Sequence, residues 1–323
     1  MMDRFRGAQI VLALGVLRAV FGCTLDYSVG SVDAGDRGAG GGSGGLPPSC
    51  AVPKRCNGTD CCASGLVAGG GPFYRDGAPQ YPATVSDFRL DIFEVTVGRF
   101  RVFVEAGKGT RADPPAVGDG ERPGMPRSGW LQEYNDKLVP DVAAMRAAFK
   151  CDGGVIETWT PSPATQENLP MNCLTWYEAF AFCVWDGGWL PTSAEWYYAA
   201  SGGVEQRPWP WGIDAIDPSR ATYGCGSDCK LVDLPPVGSK SPKGDGKWRQ
   251  SDLSGSLWEW TLDTEGGYPT PCIDCANLTN SPNRVRHGGN LKSSENELAP
   301  GAFSYTPATE RSYGHGVRCA RRK

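Results

Sequence analysis

The segment Asn172–Ala200 reads NCLTWYEAFAFCVWDGGWLPTSAEWYYAA, and its reading decides the fold. It is two capped helices in tandem. Thr175 followed by Glu178 is a capping box, in which the hydroxyl and the carboxylate satisfy free amide hydrogens at a helix start. Trp176, Phe180 and Cys183 recur at helical spacing, with Ala179 and Val184 beside them. Gly187 and Gly188 stop this helix, because glycine enters the left-handed conformation without a Cβ penalty. After Pro191 the pattern repeats. Thr192 and Glu195 form the second box, Trp196, Tyr197, Ala199 and Ala200 follow, and Gly202-Gly203 ends the run. Aromatic helices of this kind pack into a core.

Outward from this segment, 323 residues with 40% hydrophobic content suffice for one sizeable core, or a large domain plus a small one. Gly 44 and Pro 26 favour a loop-rich fold over a helical bundle. A net charge of -4 without a basic run gives no footprint for nucleic acid. Phe88 to Val104 begins as a strand, with Phe88, Leu90, Ile92 and Glu94 alternating against Arg89, Asp91 and Phe93, and turns helical from Thr96. Residues 107–126 read as loop, and Val142 to Lys150 as helix. No period of about 20–50 residues repeats, which excludes a solenoid or propeller. The class is α+β with short strands and long loops.

The N-terminus reads as an export signal over 1–22. Arg4 and Arg6 are basic, Ile10 to Leu17 is apolar, and Val20-Phe21-Gly22-Cys23 resembles a bacterial lipobox with Cys23 as the lipidated residue. Cleavage of an ordinary signal peptide nearby is the alternative. The apolar run is far shorter than the ~20 residues of a membrane span. Residues 23–49 are a Gly-rich tether and 50–71 a Cys-rich lead-in, placing the main domain at 72–323. The expected location is the cell envelope, as an outer-membrane lipoprotein, with the membrane contacted through the lipid.

Of the 13 cysteines, setting aside Cys23 leaves twelve, an even number that suits an oxidising compartment. Cys50, Cys56, Cys61 and Cys62 are expected to form a small knot ahead of the main domain. Cys225 and Cys229, and Cys272 and Cys275, are spaced for structural zinc or for local disulfides. In an exported, disulfide-dense chain the disulfide reading is preferred. A redox-active pair at 272–275 would want a βαβ surround that the sequence does not show.

The tandem helices closely resemble the signature of the sulfatase-modifying factor family, which includes the formylglycine-generating enzymes. LPTSAEWYYAA departs from that signature at one position, Tyr197 for the usual Glu. Three further blocks agree in order: FRLDIFEVTVGRFRVFV (Phe88 to Val104), DLSGSLWEWTLD (Asp252 to Asp263) and HGGN…HGVRCAR (His287 to Arg321). The resemblance spans 72–323 and implies a loop-rich variant of the C-type lectin fold. It implies a disulfide between Cys183 and Cys319, and Cys151 with Cys173 is a plausible second pair.

The same resemblance bears on metals. Hard cations want several oxygens from carboxylates and carbonyls together. By position, the family's calcium ligands fall on Asp252, the carbonyls of Gly255 and Leu257, and Glu259, with Ser256 in place of the usual Asn. A second calcium site is expected near 217–235 without assigned ligands. The alternative is that Asp252 caps a turn and Glu259 pairs with an arginine.

Formylglycine-generating enzymes oxidise a substrate cysteine with O₂ at copper(I) held by two thiolates, soft ligands for a soft ion. In the block GGNLKSSENELAPG those two positions carry Ser293 and Leu298, and Asn290 replaces the motif Ser. Copper is therefore not expected. The histidine-ligated iron of the related sulfoxide synthases is not expected either, with only His287 and His315 in the chain. Ser293 as a nucleophile would need a base such as His287, and a hydrolase is the weakest reading. The preferred expectation is a non-catalytic domain whose groove, marked by Trp258, Asn290, Ser293 and His315, binds a peptide, a glycan or a partner protein. The alternative is a sulfatase-modifying oxidoreductase with other ligands.

Overall fold

The computed structural model describes residues 46–323 apart from 52, 53, 152 and 154. The export signal, Cys23 and the tether up to residue 45 lie outside the described residues. No described helix is long and apolar enough to cross a membrane.

Among the described residues the α-helices are short: α1 Val97–Glu105, α2 Val142–Ala148, α3 Trp176–Trp185 and α4 Ser193–Ala200. Both capping boxes form as read. Thr175 Oγ1 accepts from the Glu178 amide at 3.2 Å, and the Glu178 carboxylate accepts from the Thr175 amide at 3.1 Å. The Thr192–Glu195 pair repeats this at 3.0 and 2.9 Å. Helix α3 differs from the one-faced expectation, for every residue from Trp176 to Cys183 is buried. Buried on every side over this length, it runs through the core rather than over it, and only Val184 and Trp185 at its end are half-buried. Phe100 and Phe103 of α1, together with Phe149, Trp130 and Trp260, pack in the same cluster. Gly188 is needed for contact as well as for the turn: a Cβ there would lie 2.3 Å from the Ala320 carbonyl oxygen.

The strands form small sheets. β1 Arg55–Cys56 pairs with β2 Thr59–Asp60. β3 Ser64–Val67 flanks β6 Phe88–Asp91, whose other neighbour is β12 Ala320–Arg321. β4 Phe73–Tyr74, β5 Pro82–Thr84 and β8 Cys272–Ile273 make a third sheet. The fourth has the order β10 Phe303–Pro307, β9 Asn283–His287, β7 Trp258–Thr264, β11 His315–Gly316. Strand β6 ends at Asp91, earlier than the alternation suggested: Ile92 turns half outward and Phe93 inward.

Two stretches ahead of residue 72 pack onto the main body. The four lead-in cysteines pair among themselves, as a small knot requires, and the lead-in also joins the body: β3 pairs along its whole length with β6, from Ser64 opposite Asp91 to Val67 opposite Phe88. The end of the tether is also part of the body. The Ser49 amide donates to Asp186 at 3.0 Å, and Arg99 Nε donates to Ser49 Oγ at 3.1 Å.

All twelve described cysteines are bonded: Cys50–Cys62, Cys56–Cys61, Cys151–Cys173, Cys183–Cys319, Cys225–Cys229 and Cys272–Cys275. The Cys183–Cys319 bond ties the end of α3 to the segment before β12. Beside it lies a buried, charge-neutral quartet. Arg99 reaches Asp91 at 2.8 Å and Asp186 at 2.6 Å, and Arg321 reaches the same two carboxylates at 3.1 and 2.7 Å. Each charge has two opposite partners, which offsets the desolvation that makes isolated buried pairs weak.

Candidate functional site

The four-stranded sheet positions the residues of interest through its register. Glu259 of β7 lies opposite His287 of β9, and Trp260 opposite Arg286. His315 of β11 lies opposite Trp258. Side chains alternate across a strand. One face therefore carries Arg286, Trp258, Trp260 and His315, and the other carries Glu259 and His287 under α4.

On the α4 face, Trp196 stacks on His287 at 4.8 Å and donates its Nε1 hydrogen to Glu259 at 2.6 Å. Arg318 grips the same carboxylate, with Nε at 2.8 Å and Nη2 at 2.6 Å. Glu94 and Asp252 complete the cluster. The Glu94 carboxylate accepts from Ser256 Oγ at 2.9 Å and from the Leu257 amide at 3.2 Å, and Asp252 accepts from the Gly238 amide at 2.6 Å. All four ionisable groups are buried. Burial, then the charges of Asp252 and Glu259, push the Glu94 carboxyl well above its ordinary range. Burial raises Asp252 to about 6.

Three carboxylates thus face one guanidinium. Glu259 pairs with an arginine, the alternative weighed from the sequence, and Asp252 closes a turn to Gly238. The donor chemistry still suits a hard cation: the implied set needs only two carboxylate side chains plus two carbonyls. Among the described residues no group of three or more His, Cys, Asp or Glu side chains is arranged as a metal cage, at this loop or near 217–235.

His287 does not serve Ser293. Its Nε2 lies 2.6 Å from Ser193 Oγ and its Nδ1 3.2 Å from the Ala302 carbonyl. A carbonyl only accepts, so Nδ1 carries the hydrogen and Nε2 accepts from Ser193. Burial lowers His287 to about 4, so the ring is neutral. Beside it, Asp263 accepts from the Ser193 amide at 2.7 Å, and burial raises its pKa to about 6. The Ser193–His287 pair arises from the variable position of LPTSAEW and the first position of HGGN, and only their occupants could have signalled it.

Ser293 and Leu298 are brought together, as two positions serving one centre must be. A Cβ added at Gly289, where φ is +73, would fall 2.4 Å from Leu298 Cδ2 and 3.3 Å from Ser293 Cβ. Both side chains are buried, and Ser293 Oγ accepts from the Asn290 amide at 3.1 Å. Asn290 in turn packs on Gly314, whose carbonyl accepts from the Trp258 amide at 2.8 Å. Trp258, Asn290, Ser293 and His315 are therefore contiguous. Trp258, Ser293 and His315 are buried and Asn290 is half-buried, so this is a patch rather than an open groove. Two cavities lie elsewhere. One of about 790 Å³ runs along the outer side of α3, between Phe103, Trp185 and Trp189 and the loop of Asp119 and Glu121. Another of about 280 Å³ opens beside Ser193, Asp263 and Tyr268.

Residues 51–323 match the sulfatase-modifying factor enzyme 1-like domain. The chain belongs to this family. Its members similar to this chain include the inactive C-alpha-formylglycine-generating enzyme 2 of Mus musculus, 29% identical over 62% of this chain and 66% of that protein. The Bos taurus counterpart is 31% identical over 59% of this chain and 64% of its own length. The chain thus spans just under two thirds of these relatives. The formylglycine-generating enzyme of Thermomonospora curvata is 28% identical over 77% of this chain and 86% of that enzyme. Among solved structures, Treponema denticola variable protein 1 superposes with a TM-score of 0.54 at 17% identity, covering 84% of this chain and 99% of that one. PvdO from Pseudomonas aeruginosa gives 0.54 at 17%, covering 81% and 95%. The fold is the formylglycine-generating-enzyme-like, lectin-type α+β architecture.

Proposed function

We propose that this family member is a non-catalytic binding module, exported and lipid-anchored through Cys23, that recognises a peptide, glycan or partner protein at the Trp258–Asn290–Ser293–His315 patch. One observation carries the reading. The two positions expected to hold copper converge on Gly289, and they present a hydroxyl and an isobutyl group. Every described cysteine is consumed in a disulfide, so no described thiol can take their place. Similarity to relatives named inactive supports the same reading.

Calcium at the Asp252–Glu259 loop belongs to the proposal as a structural ion. The two buried carboxylates of the implied set, Asp252 and Glu259, support it.

Copper(I) titration against a chromogenic chelator tests the carrying observation. The protein should fail to compete for the ion, and the double variant Ser293→Cys/Leu298→Cys should gain competition. Tight binding by the unmodified chain would favour the alternative, an oxidoreductase with ligands other than the expected pair.

A further inference from the structure

We propose that Arg286, seated on Trp258 and beside His315, is a receptor for a single carboxylate group of a small ligand. The inference rests on the binding-module reading, since it names a ligand class for the same patch.

The buried arginines of this protein have acceptors. Arg99, Arg101, Arg122, Arg318 and Arg321 each bind carboxylates. Among the described residues Arg75 and Arg284 meet no ion-pair partner, but each donates to a main-chain carbonyl, at 2.6 and 3.0 Å. Arg286 has neither. Its carbon centre lies 5.2 Å from the Trp258 ring centroid, and its guanidinium meets one hydrogen-bond acceptor among the described residues, Ser304 Oγ at a long 3.4 Å. Its Nε is buried and has no partner. A half-buried guanidinium with unspent donors is costly unless something accepts from it.

His315 adds a second unspent group on the same face. It is 1% exposed, packs edge-on against Trp260 at 4.9 Å, and its Nδ1 has no partner. Burial, then the charge of Arg286, keeps the ring neutral, leaving one nitrogen able to donate. A planar fork beside a neutral imidazole suits a carboxylate, which guanidinium binds with two parallel hydrogen bonds.

The surrounding charge selects a monoanion. Glu310 and Glu297 act on Arg286 through space but form no ion pair with it. Glu310 accepts from Thr306, and Glu297 from the Ser294 amide. A phosphate dianion would face both carboxylates with twice the charge, whereas one carboxylate is balanced by Arg286 alone.

The test uses the full chain, with arginine side-chain ¹⁵Nε–H signals followed by NMR during titration with sodium benzoate. Benzamide and inorganic phosphate serve as controls. Benzoate should shift the Arg286 signal saturably, benzamide should not, and phosphate should bind more weakly. Arg286→Lys keeps the charge without the fork, and calorimetry should show benzoate affinity reduced by about tenfold or more. Arg286→Gln should abolish binding at an unchanged melting temperature. If Arg286→Gln does not fold, the lysine variant and the wild-type titration still decide. Absence of a saturable shift, an equal response to benzamide, tighter phosphate binding, or full affinity in Arg286→Lys would overturn the proposal. None of these outcomes touches the non-catalytic reading, which fails separately if the protein makes formylglycine.

Discussion

Arg318 holds Glu259 through two of its nitrogens, at 2.8 and 2.6 Å, in a pocket where both side chains are essentially unexposed. The pair joins the WEW strand to the C-terminal segment. It also changes how a calcium experiment must be designed. Removing Glu259 strands a buried guanidinium and should cost about 3–5 kcal/mol whether or not an ion binds. Asp252→Asn is the cleaner probe, because Asn tolerates the left-handed backbone that Asp252 adopts at φ 60. We expect a chelator to lower the wild-type melting temperature and to lower that of Asp252→Asn by less, because the amide oxygen can still reach the ion but carries no charge. Equal melting of the wild type with and without chelator would remove calcium from the account.

The pH dependence carries two opposing signs. Asp252 and Asp263 titrate near 6 in the folded protein because they are buried, against about 3.9 in the unfolded chain. The folded state holds their protons longer, so the stability they contribute at low pH is lost as pH rises from about 4 to about 6. His287 and His315 titrate near 4 and 3, against about 6.5 unfolded, also through burial. They remain neutral when folded, so their contribution is lost as pH falls from about 6.5. In metal-free buffer, denaturant titrations from pH 4 to 6 should show Asp252→Asn gaining on the wild type by about 2–3 kcal/mol, because the amide has no proton to lose. Saturating calcium should suppress that gain, since an ion takes the place of the proton.

Asp186 caps α3 and binds both Arg99 and Arg321. Asp186→Asn keeps the shape and removes the charge that balances two buried guanidiniums. A loss of about 3–5 kcal/mol is expected in chemical denaturation, with the melting temperature falling accordingly. A loss below about 1 kcal/mol, the value of an exposed pair, would mean that the quartet is solvated.

The Cys183–Cys319 bond closes a loop of sequence separation 136. On chain-entropy grounds such a loop stabilises by about 4–5 kcal/mol. The Cys183→Ser/Cys319→Ser variant should melt far below the wild type. The Cys225→Ser/Cys229→Ser variant, whose bond spans a separation of 4, should fall much less.

What the sequence made legible was local or inherited. Thr175–Glu178 and Thr192–Glu195 are three residues apart, and a capping box is decided within one helical turn. The family blocks carried the Cys183–Cys319 pairing and the convergence of Ser293 with Leu298. The charge pairs were not legible, because Arg99–Asp186, Arg318–Glu259 and Arg321–Asp91 join positions 87, 59 and 230 residues apart, and no local pattern marks which Arg meets which acid. The same limit hid the pairing of His287 with Ser193 in place of Ser293. It also hid the anchoring of Ser49 inside the body, since a Gly-rich stretch gives no sign of where tethering stops and packing begins.

The central claim is that the chain keeps the family scaffold without its oxidative chemistry. The most direct measurement is mass spectrometry of a peptide carrying the sulfatase CxPxR motif after incubation with copper-loaded protein in air. The cysteine should be recovered unchanged. Conversion of that cysteine to the formylglycine aldehyde would contradict it.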